Sequence, residues 1–193
     1  DGLRDSTEAV FATSRNRLTI SASQSVIELW LLPRLARLQS LMKAEISIQT
    51  LVVGAHDAPQ DDVIRIRYGT GNWPHPHRAR LYAEEMVPVA APCLAAQAES
   101  WTTLPRIACS GPRPGWTSWA SEFGIPTTPV PRLRFDSHAS ALGAAKAGLG
   151  AFLASLPLCA AALEEGTLVQ LEQMSLSHHE SYWIIAGQNA LSR

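Results

Sequence analysis

The sequence predicts an α/β protein with mainly parallel sheets. Predicted strands and helices alternate along almost the whole chain, which is typical of this class. Two strand–helix–strand units, at residues 18–53 and 132–155, have the same form, and in each a strand ends in small hydroxyl residues that open a helix. The chain has 193 residues, 46% of them hydrophobic and 17% charged, which suits a globular protein with a sizeable core.

The first unit consists of a strand, a long amphipathic helix and a second strand, at 17–23, 24–42 and 44–53. Ile46 and Ile48 alternate with polar neighbours, as in a half-buried strand. Pro33 lies within the helix and removes one backbone donor. We therefore expect that Pro33 either bends the helix or lies in its first turns.

The middle and the end of the chain continue the alternation. Further strands are predicted at 62–69, 104–110, 167–172 and 180–187, and helices at 116–124 and 156–166. The run 80–92 alternates up to Glu84 and then turns apolar, which predicts a strand that leaves one sheet and enters another. Adjacent strand residues face opposite sides, so Glu84 and Glu85 cannot work as an acid–base couple.

The second unit contains Asp136, Ser137 and His138, the residue types of a hydrolase triad. Three consecutive residues cannot place a His between a Ser and an Asp, because adjacent side chains point in different directions. The alternative is structural: a strand at 132–135 ends at Asp136 and Ser137, both of which are common helix N-caps. An Ala-rich helix then runs from His138 to Ala147, and a strand resumes at 151–154.

Charge, cysteine and histidine patterns argue against several classes of function. The net charge of −1 does not indicate the basic surface that nucleic-acid binding usually needs. No apolar stretch is long enough to cross a membrane. The three cysteines are widely spaced, so we expect buried fillers in a reducing compartment. His75 and His77, with His56, His178 and His179 elsewhere, lack Cys or carboxylate partners at a ligand spacing. We therefore expect neither a metal nor a cofactor.

Several motifs in a fixed order resemble the effector-binding domain of LysR-type transcriptional regulators. They include "IRIRYGTGNWP", "GWTSWASEFG" and "LRFDSHASALGAAKAGLG", and the likeness extends from Leu18 to Gly187. The branch of the family that they resemble contains the glycine-cleavage activator and the β-lactamase regulator AmpR.

The resemblance implies a two-lobed fold of the type-2 periplasmic-binding-protein form. Lobe one would hold 18–86 and 168–193, and lobe two 87–167, with crossings near Met86–Val89 and Thr167–Val169. Residues 1–16 would be the end of a linker helix, and the winged helix-turn-helix that binds DNA would precede residue 1. The chain begins with Asp rather than Met, which also suggests a fragment of a longer protein.

The expected ligand site lies where helix N-termini face each other at the carboxyl ends of strands, because exposed N–H groups favour an anion or a carbonyl. One such helix opens at Ser23, Gln24 and Ser25, and the other at Ser137 and His138. The resemblance adds Tyr182 of "SYW" as a pocket residue. Tyr68 and Gly69 end the third strand and are expected at the rim. Core packing with the hydroxyl bonded to backbone remains the alternative for Tyr182.

The resulting hypothesis is a cytoplasmic effector sensor that is not an enzyme. An anionic or amide-bearing small molecule would close the lobes, and the family likeness implies homodimers through this domain, tetramers of the full-length protein and DNA bound by the absent domain. The alternatives are a periplasmic-type solute-binding protein and a hydrolase that uses Ser137 and His138.

Overall fold

The computed structural model describes residues 17–51, 63–74 and 77–187. The expected linker-helix end at 1–16 lies outside these residues, as do His56 and His75. The described strands form one hydrogen-bonded network in the order β2 (Glu45–Thr50), β1 (Arg17–Ala22), β3 (Val63–Gly69), β9 (Leu176–Ala186), β4 (His77–Ala90), β7 (Ala151–Ser155), β5 (Arg106–Cys109) and β6 (Leu133–Phe135), with β8 (Val169–Gln170) paired to β4. None of the described helices is long and apolar enough to cross a membrane.

The first half-sheet runs, in this order, from β2 to the first part of β4. Its strands are β1 (Arg17–Ala22), β2 (Glu45–Thr50), β3 (Val63–Gly69), β9 (Leu176–Ala186) and the first part of β4 (His77–Ala90). β1 pairs in parallel with both β2 and β3. The predicted first strand–helix–strand unit is therefore confirmed, with a helical segment, α1, at 24–41 between its strands.

The second half-sheet begins at the last part of β4. It continues through β7 (Ala151–Ser155), β5 (Arg106–Cys109) and β6 (Leu133–Phe135), and β8 (Val169–Gln170) pairs with the end of β4. Its helices are α2 (Pro92–Ala95), α3 (Trp116–Phe123), α4 (His138–Lys146) and α5 (Leu156–Glu164), and a 3₁₀ turn covers Trp101–Thr103. The second predicted unit is confirmed as β6–α4–β7, although its two strands lie on either side of β5.

Strand β4 joins the two half-sheets, as predicted for a run that changes sheets. Its first residues pair with β9, and Met86 to Val89 pair with β7. All pairings that β4 and β9 make among the described strands are antiparallel, whereas the outer pairs of each half-sheet are parallel. The α/β class is confirmed, and the strand directions are mixed because element order alone does not show the direction in which a returning strand joins the sheet.

The two connecting segments lie side by side. Met86 pairs with Leu176, and Val89 pairs with Gln170. The second segment therefore runs beside the first from Val169 to Leu176, further along the chain than the Thr167–Val169 expected from sequence. The assignment of 18–86 with 168–193 and of 87–167 to separate lobes stays a prediction.

Helix α1 widens just before Pro33. Its first turn is α-helical, Ile27–Leu31 form a π-turn in which the N–H of Leu32 donates to the carbonyl of Ile27, and Leu32–Leu41 are α-helical again. Proline has no N–H, and its ring collides with the carbonyl four residues earlier. A wider turn accommodates this collision, so the predicted disturbance at Pro33 takes the form of a π-turn.

The core divides into three clusters of buried side chains. One lies under α1 on the first half-sheet and includes Ile20, Val26 and Ile66. The other two cover the faces of the second half-sheet, with Ile107 and Phe152 on one face and Trp116 and Trp119 on the other. Each half-sheet thus has its own apolar core.

The cysteines differ from the sequence expectation. Cys159 is buried in the second half-sheet, Cys109 is partly buried, and Cys93 is exposed. The prediction that all three are buried fillers is wrong for Cys93, because it lies on the four-residue helix α2, which buries none of its residues.

Two glycines provide a matched test of backbone packing. A Cβ on Gly150 would lie 2.6 Å from the carbonyl oxygen of Pro105, whereas a Cβ on Gly143, in α4, would meet nothing within 4 Å. We expect Gly150→Ala to lower the free energy of unfolding by about 1–3 kcal/mol through forced backbone movement. Gly143→Ala should raise it by about 0.5–1 kcal/mol, because Ala favours the helix. Urea unfolding measures both, and equal effects would contradict the close approach of the two backbones.

Candidate functional site

Two helix N-termini meet between the half-sheets. Ser25, in the first turn of α1, accepts a hydrogen bond through Oγ from the backbone N–H of Ala139, in the first turn of α4, at 3.1 Å. The Oγ atoms of Ser25 and Ser137 lie 3.5 Å apart. These residues are more than one hundred positions apart in sequence, so the fold brings together the two helix beginnings that the sequence singled out.

Ser137 caps α4 as predicted. Its backbone is extended, with φ −112° and ψ 128°, and its side chain accepts the N–H of Ser140 at 3.4 Å. Ser23 and Gln24 do not join the contact with α4. Ser23 is exposed and makes no side-chain cap bond, while the Gln24 amide donates to Glu28 on its own helix at 2.8 Å.

His138 is buried rather than presented to the space between the helices. Its Nε2 accepts the backbone N–H of Ser155 at 3.1 Å, and its ring packs 4.9 Å from the ring of Phe152. Burial, and secondarily the charge of Arg113, hold the pKa of His138 well below its usual value. The ring is therefore neutral with its proton on Nδ1, and the nitrogen that a serine nucleophile would need is occupied.

The predicted tyrosines belong to an aromatic cluster on the first half-sheet. Tyr68 and Tyr182 are cross-strand partners on β3 and β9, with ring centroids 5.0 Å apart, and Tyr82 of β4 lies 4.8 Å from Tyr182 on its other side. The hydroxyl of Tyr68 is 2.9 Å from Nδ1 of His178. Tyr182 is only 2% exposed, so its ring is part of the core, and its role as a pocket residue stays a prediction.

Gly69 lies in closely packed surroundings at the end of β3, and its expected place at the rim of the site stays a prediction. It has φ 151°, and its carbonyl accepts the indole N–H of Trp183 at 3.1 Å. A Cβ at this position would lie 2.9 Å from the ring of Trp73. The residue is glycine because two tryptophans pack closely around the end of β3.

Arg113 also links the half-sheets, and no sequence motif predicted this role. It lies in the loop between β5 and α3, yet its guanidinium carbon is 4.8 Å from the ring centre of Tyr68 and 5.3 Å from that of Tyr182. Its Nε donates to Oε2 of Glu84 at 2.9 Å. The only signal was an arginine between two prolines in "GPRPG", and that segment indicated no more than a turn.

Glu84 is fully buried at a register shift in the β4–β9 ladder. Its neighbour Glu85 instead accepts from the hydroxyl of Ser175, so the two carboxylates point apart as predicted. In the described part of the protein, the buried polar atoms without a hydrogen-bond partner include Oε1 of Glu84, the hydroxyl of Tyr82 on the same strand, and that of Ser155, which pairs with Met86. A buried carboxylate is costly to leave half-satisfied, so Arg113 is the partner that makes this burial tolerable.

A cavity of about 330 Å³ opens beside this ion pair. Its wall comes from β5, the β5–α3 loop, the start of α3, the segment leading into β6, and β7. Of the site residues predicted from sequence, only His138 contributes to the lining, together with Arg113, which was missed. Within the described ranges, no group of three His, Cys, Asp or Glu side chains could hold a metal ion.

The burial of His138 predicts an acid-sensitive fold. Its folded pKa lies below the unfolded value of about 6.5, so the unfolded chain binds the proton more readily and the free energy of unfolding falls as the pH drops below that value. The slope contributed by one such group is at most about 1.4 kcal/mol per pH unit. We expect His138→Gln to flatten this fall in urea titrations between pH 7.5 and 5, a range of about 2.5 units.

The matched control is His77→Gln, which removes a histidine at the start of β4 and should keep the wild-type slope. The comparison concerns slopes, so it remains valid if either variant is less stable overall. Equal slopes in wild type and His138→Gln would contradict a neutral buried imidazole.

Comparison with known proteins places this geometry in a family. Residues 12–193 match the family described as LysR substrate binding domain. The chain is 32% identical over 165 residues to the glycine cleavage system transcriptional activator of Escherichia coli (strain K12), covering 81% of this chain and 54% of that protein. It therefore spans about half the length of the curated relatives it matches.

Solved structures agree. The AmpR effector binding domain from Citrobacter freundii superposes with a TM-score of 0.69 at 26% identity, covering 90% of this chain and 88% of that chain. The effector domain of AmpR of Pseudomonas aeruginosa gives 0.70 at 25% identity, with coverage of 90% and 86%. Because the family match covers nearly the whole chain and the fold agrees, this chain belongs to the LysR substrate-binding domain family.

Proposed function

We propose that the chain is the effector-sensing domain of a LysR-type transcriptional regulator and that it closes around a small molecule between two lobes. Lobe one would comprise 18–86 and 168–193, and lobe two 87–167. The observation that carries the proposal is the hydrogen bond from the Ala139 N–H to Ser25 Oγ, because it joins the N-termini of helices from different half-sheets. Family membership supplies the regulatory context.

Closure by an effector is a shift between two populations. In the described conformation, Ser25 Oγ already accepts the amide of Ala139, and Arg113 already reaches the tyrosines of the first half-sheet. An effector that bonds to both sides of the gap binds the closed arrangement more tightly than the open one, and the difference in affinity sets how far it shifts the equilibrium.

The polar groups where the N-termini of α1 and α4 meet favour an anionic or amide-bearing effector. The amide of Ala139 is a helix N-terminal donor that now has a serine hydroxyl as its acceptor. A carboxylate or carbonyl oxygen would be a stronger acceptor for the same N–H. Such a ligand would displace or supplement the Ser25 hydroxyl, and Ser137 would lie beside it. Tyr68 and Tyr182 would support the site by holding Arg113 rather than by direct contact.

The wider role follows the family. The relatives named above are transcriptional regulators, so we propose a cytoplasmic regulator that is not an enzyme and that binds DNA through a separate N-terminal domain. We further propose homodimers through α1 against the second lobe of a partner, with tetramers of the full-length protein. Leu32 and Leu41 on α1 are 50% and 74% exposed, which leaves apolar surface for such a contact.

The alternatives from sequence gain no support. For a hydrolase, Ser137 would have to bond to His138, but Nε2 of His138 accepts from Ser155 and Ser137 Oγ caps α4. A solute-binding protein would share the fold, and the family match favours the regulator instead. Ester turnover that is abolished by Ser137→Ala would restore the hydrolase hypothesis.

A thermal-shift screen of metabolites against this chain tests the proposal. A ligand at one hundred times its dissociation constant adds about 2.7 kcal/mol to the free energy of unfolding. We expect Ser25→Ala to weaken the shift, because that residue contacts both helix beginnings. Ser40→Ala, the same substitution near the far end of α1, should leave the shift unchanged.

Ser137→Ala should weaken binding as well and should also lower the stability of the unliganded chain by about 1 kcal/mol, because it removes the N-cap of α4. Ser25→Ala is therefore the cleaner variant. Wild-type shifts in both Ser25→Ala and Ser137→Ala would show that the ligand binds elsewhere.

A further inference from the structure

The cavity beside Arg113 has the size of a small-ligand site. Its volume of about 330 Å³ is at the lower end of the range of about 300–1,000 Å³ that is typical of ligand pockets. Four of its lining residues are large and apolar, namely Ile107, Trp116, Phe152 and Leu153. All four belong to the buried core of the second half-sheet. The cavity can therefore accommodate a compact apolar group of a ligand.

The charged side chains among the described residues that line the cavity have one sign. Among the described residues that line it, Arg113 and Arg134 are cationic, and none is acidic. His138 also lines it but is neutral, since burial holds its pKa well below its usual value. Both arginines line the cavity together with Cys109. Asp136 is exposed and does not belong to the lining.

Arg113 retains hydrogen-bonding capacity for a ligand. Its contact with Glu84 uses Nε and one carboxylate oxygen, and a guanidinium has further N–H groups on its two Nη atoms. Glu84 and the faces of Tyr68 and Tyr182 hold the group in place. A second carboxylate could therefore meet an arginine whose orientation is already determined, which reduces the entropy lost on binding.

We propose that the effector is a carboxylic acid with an aromatic or branched apolar body, that its body fills this cavity, that Arg113 and Arg134 bind its carboxylate, and that a further polar group of the same molecule, such as a carbonyl, accepts the N–H of Ala139. The inference rests on the proposed function, which it extends by naming the class of ligand and the part of the second half-sheet that selects it. Arg134 is a specificity residue at an exposed position of β6, whereas Arg113 also joins the half-sheets.

Three probes of similar size and the same phenylpropyl skeleton test the charge requirement: 3-phenylpropanoate, the neutral 3-phenylpropanamide and 3-phenylpropylammonium. Binding is followed by the indole N–H signals of the ¹⁵N-labelled chain. Trp116 lines the cavity, whereas Trp119, one turn later on α3, is fully buried and does not. The acid should move the Trp116 signal and leave that of Trp119 in place. The amide should bind at least about tenfold more weakly, and the ammonium should not bind.

A matched pair of variants tests the arginine. Arg134→Gln should weaken binding of 3-phenylpropanoate by about tenfold. Arg132→Gln changes the net charge equally at an exposed neighbour that does not line the cavity, and it should bind like wild type. Arg113→Gln alone would leave Glu84 buried without its cation. The double variant Arg113→Gln/Glu84→Gln avoids this problem and should also lose binding.

The inference is overturned if the three probes bind alike, if Arg134→Gln and Arg132→Gln behave alike, or if the acid fails to bind up to about 10 mM. It is also overturned if the acid moves the backbone signal of Ala139 and leaves that of Trp116 unchanged. In that last case the effector-sensing function stands, and only the assignment to this cavity fails. If Ser25→Ala instead shows the same ligand-induced thermal shift as the wild type in the metabolite screen, that result counts against the proposed function itself.

Discussion

Strand β4 belongs to both half-sheets, and its backbone hydrogen bonds determine how the two halves lie against each other. Fourteen residues of strand at about 3.3 Å each extend for about 45 Å, enough to pair with β9 at one end and with β7 at the other. The second connecting segment pairs alongside at Met86–Leu176 and Val89–Gln170. Any change in the angle between the halves must act on these two adjacent segments.

The most polar part of the core lies where β4 passes from one half-sheet to the other. Glu84 is fully buried at a shift in the ladder and depends on Arg113 from the opposite half-sheet. A buried ion pair contributes little net stability, because desolvation offsets the attraction, but the loss of either partner is expensive. Glu84 and Arg113 therefore favour one relative placement of the halves. The neutral hydrogen bond between Ser25 and Ala139 adds a weaker contact of the same kind.

Local chemistry made much of the fold predictable. The N-cap at Ser137 was predicted correctly because it depends on residues within one helical turn. Ser25 and Ser137 were also correctly paired, since α/β folds bring helix beginnings to the same edge of their sheets. In contrast, Gln24 and His138 were selected by position along the chain, and their side chains turned out to satisfy Glu28 and Ser155.

By itself, the sequence determined the α/β class, the two strand–helix–strand units and the family, because alternation, capping and ordered motifs are properties of neighbouring residues. Only the tertiary structure decided that Arg113 would reach Glu84, Tyr68 and Tyr182, and that a cavity lined by two arginines would open beside them. Tyr68, Glu84 and Tyr182 come from β3, β4 and β9, and Arg113 comes from a loop of the second half-sheet. Their meeting depends on the pairing of distant strands and on the cost of burying an unpaired carboxylate, neither of which leaves a local pattern in the chain.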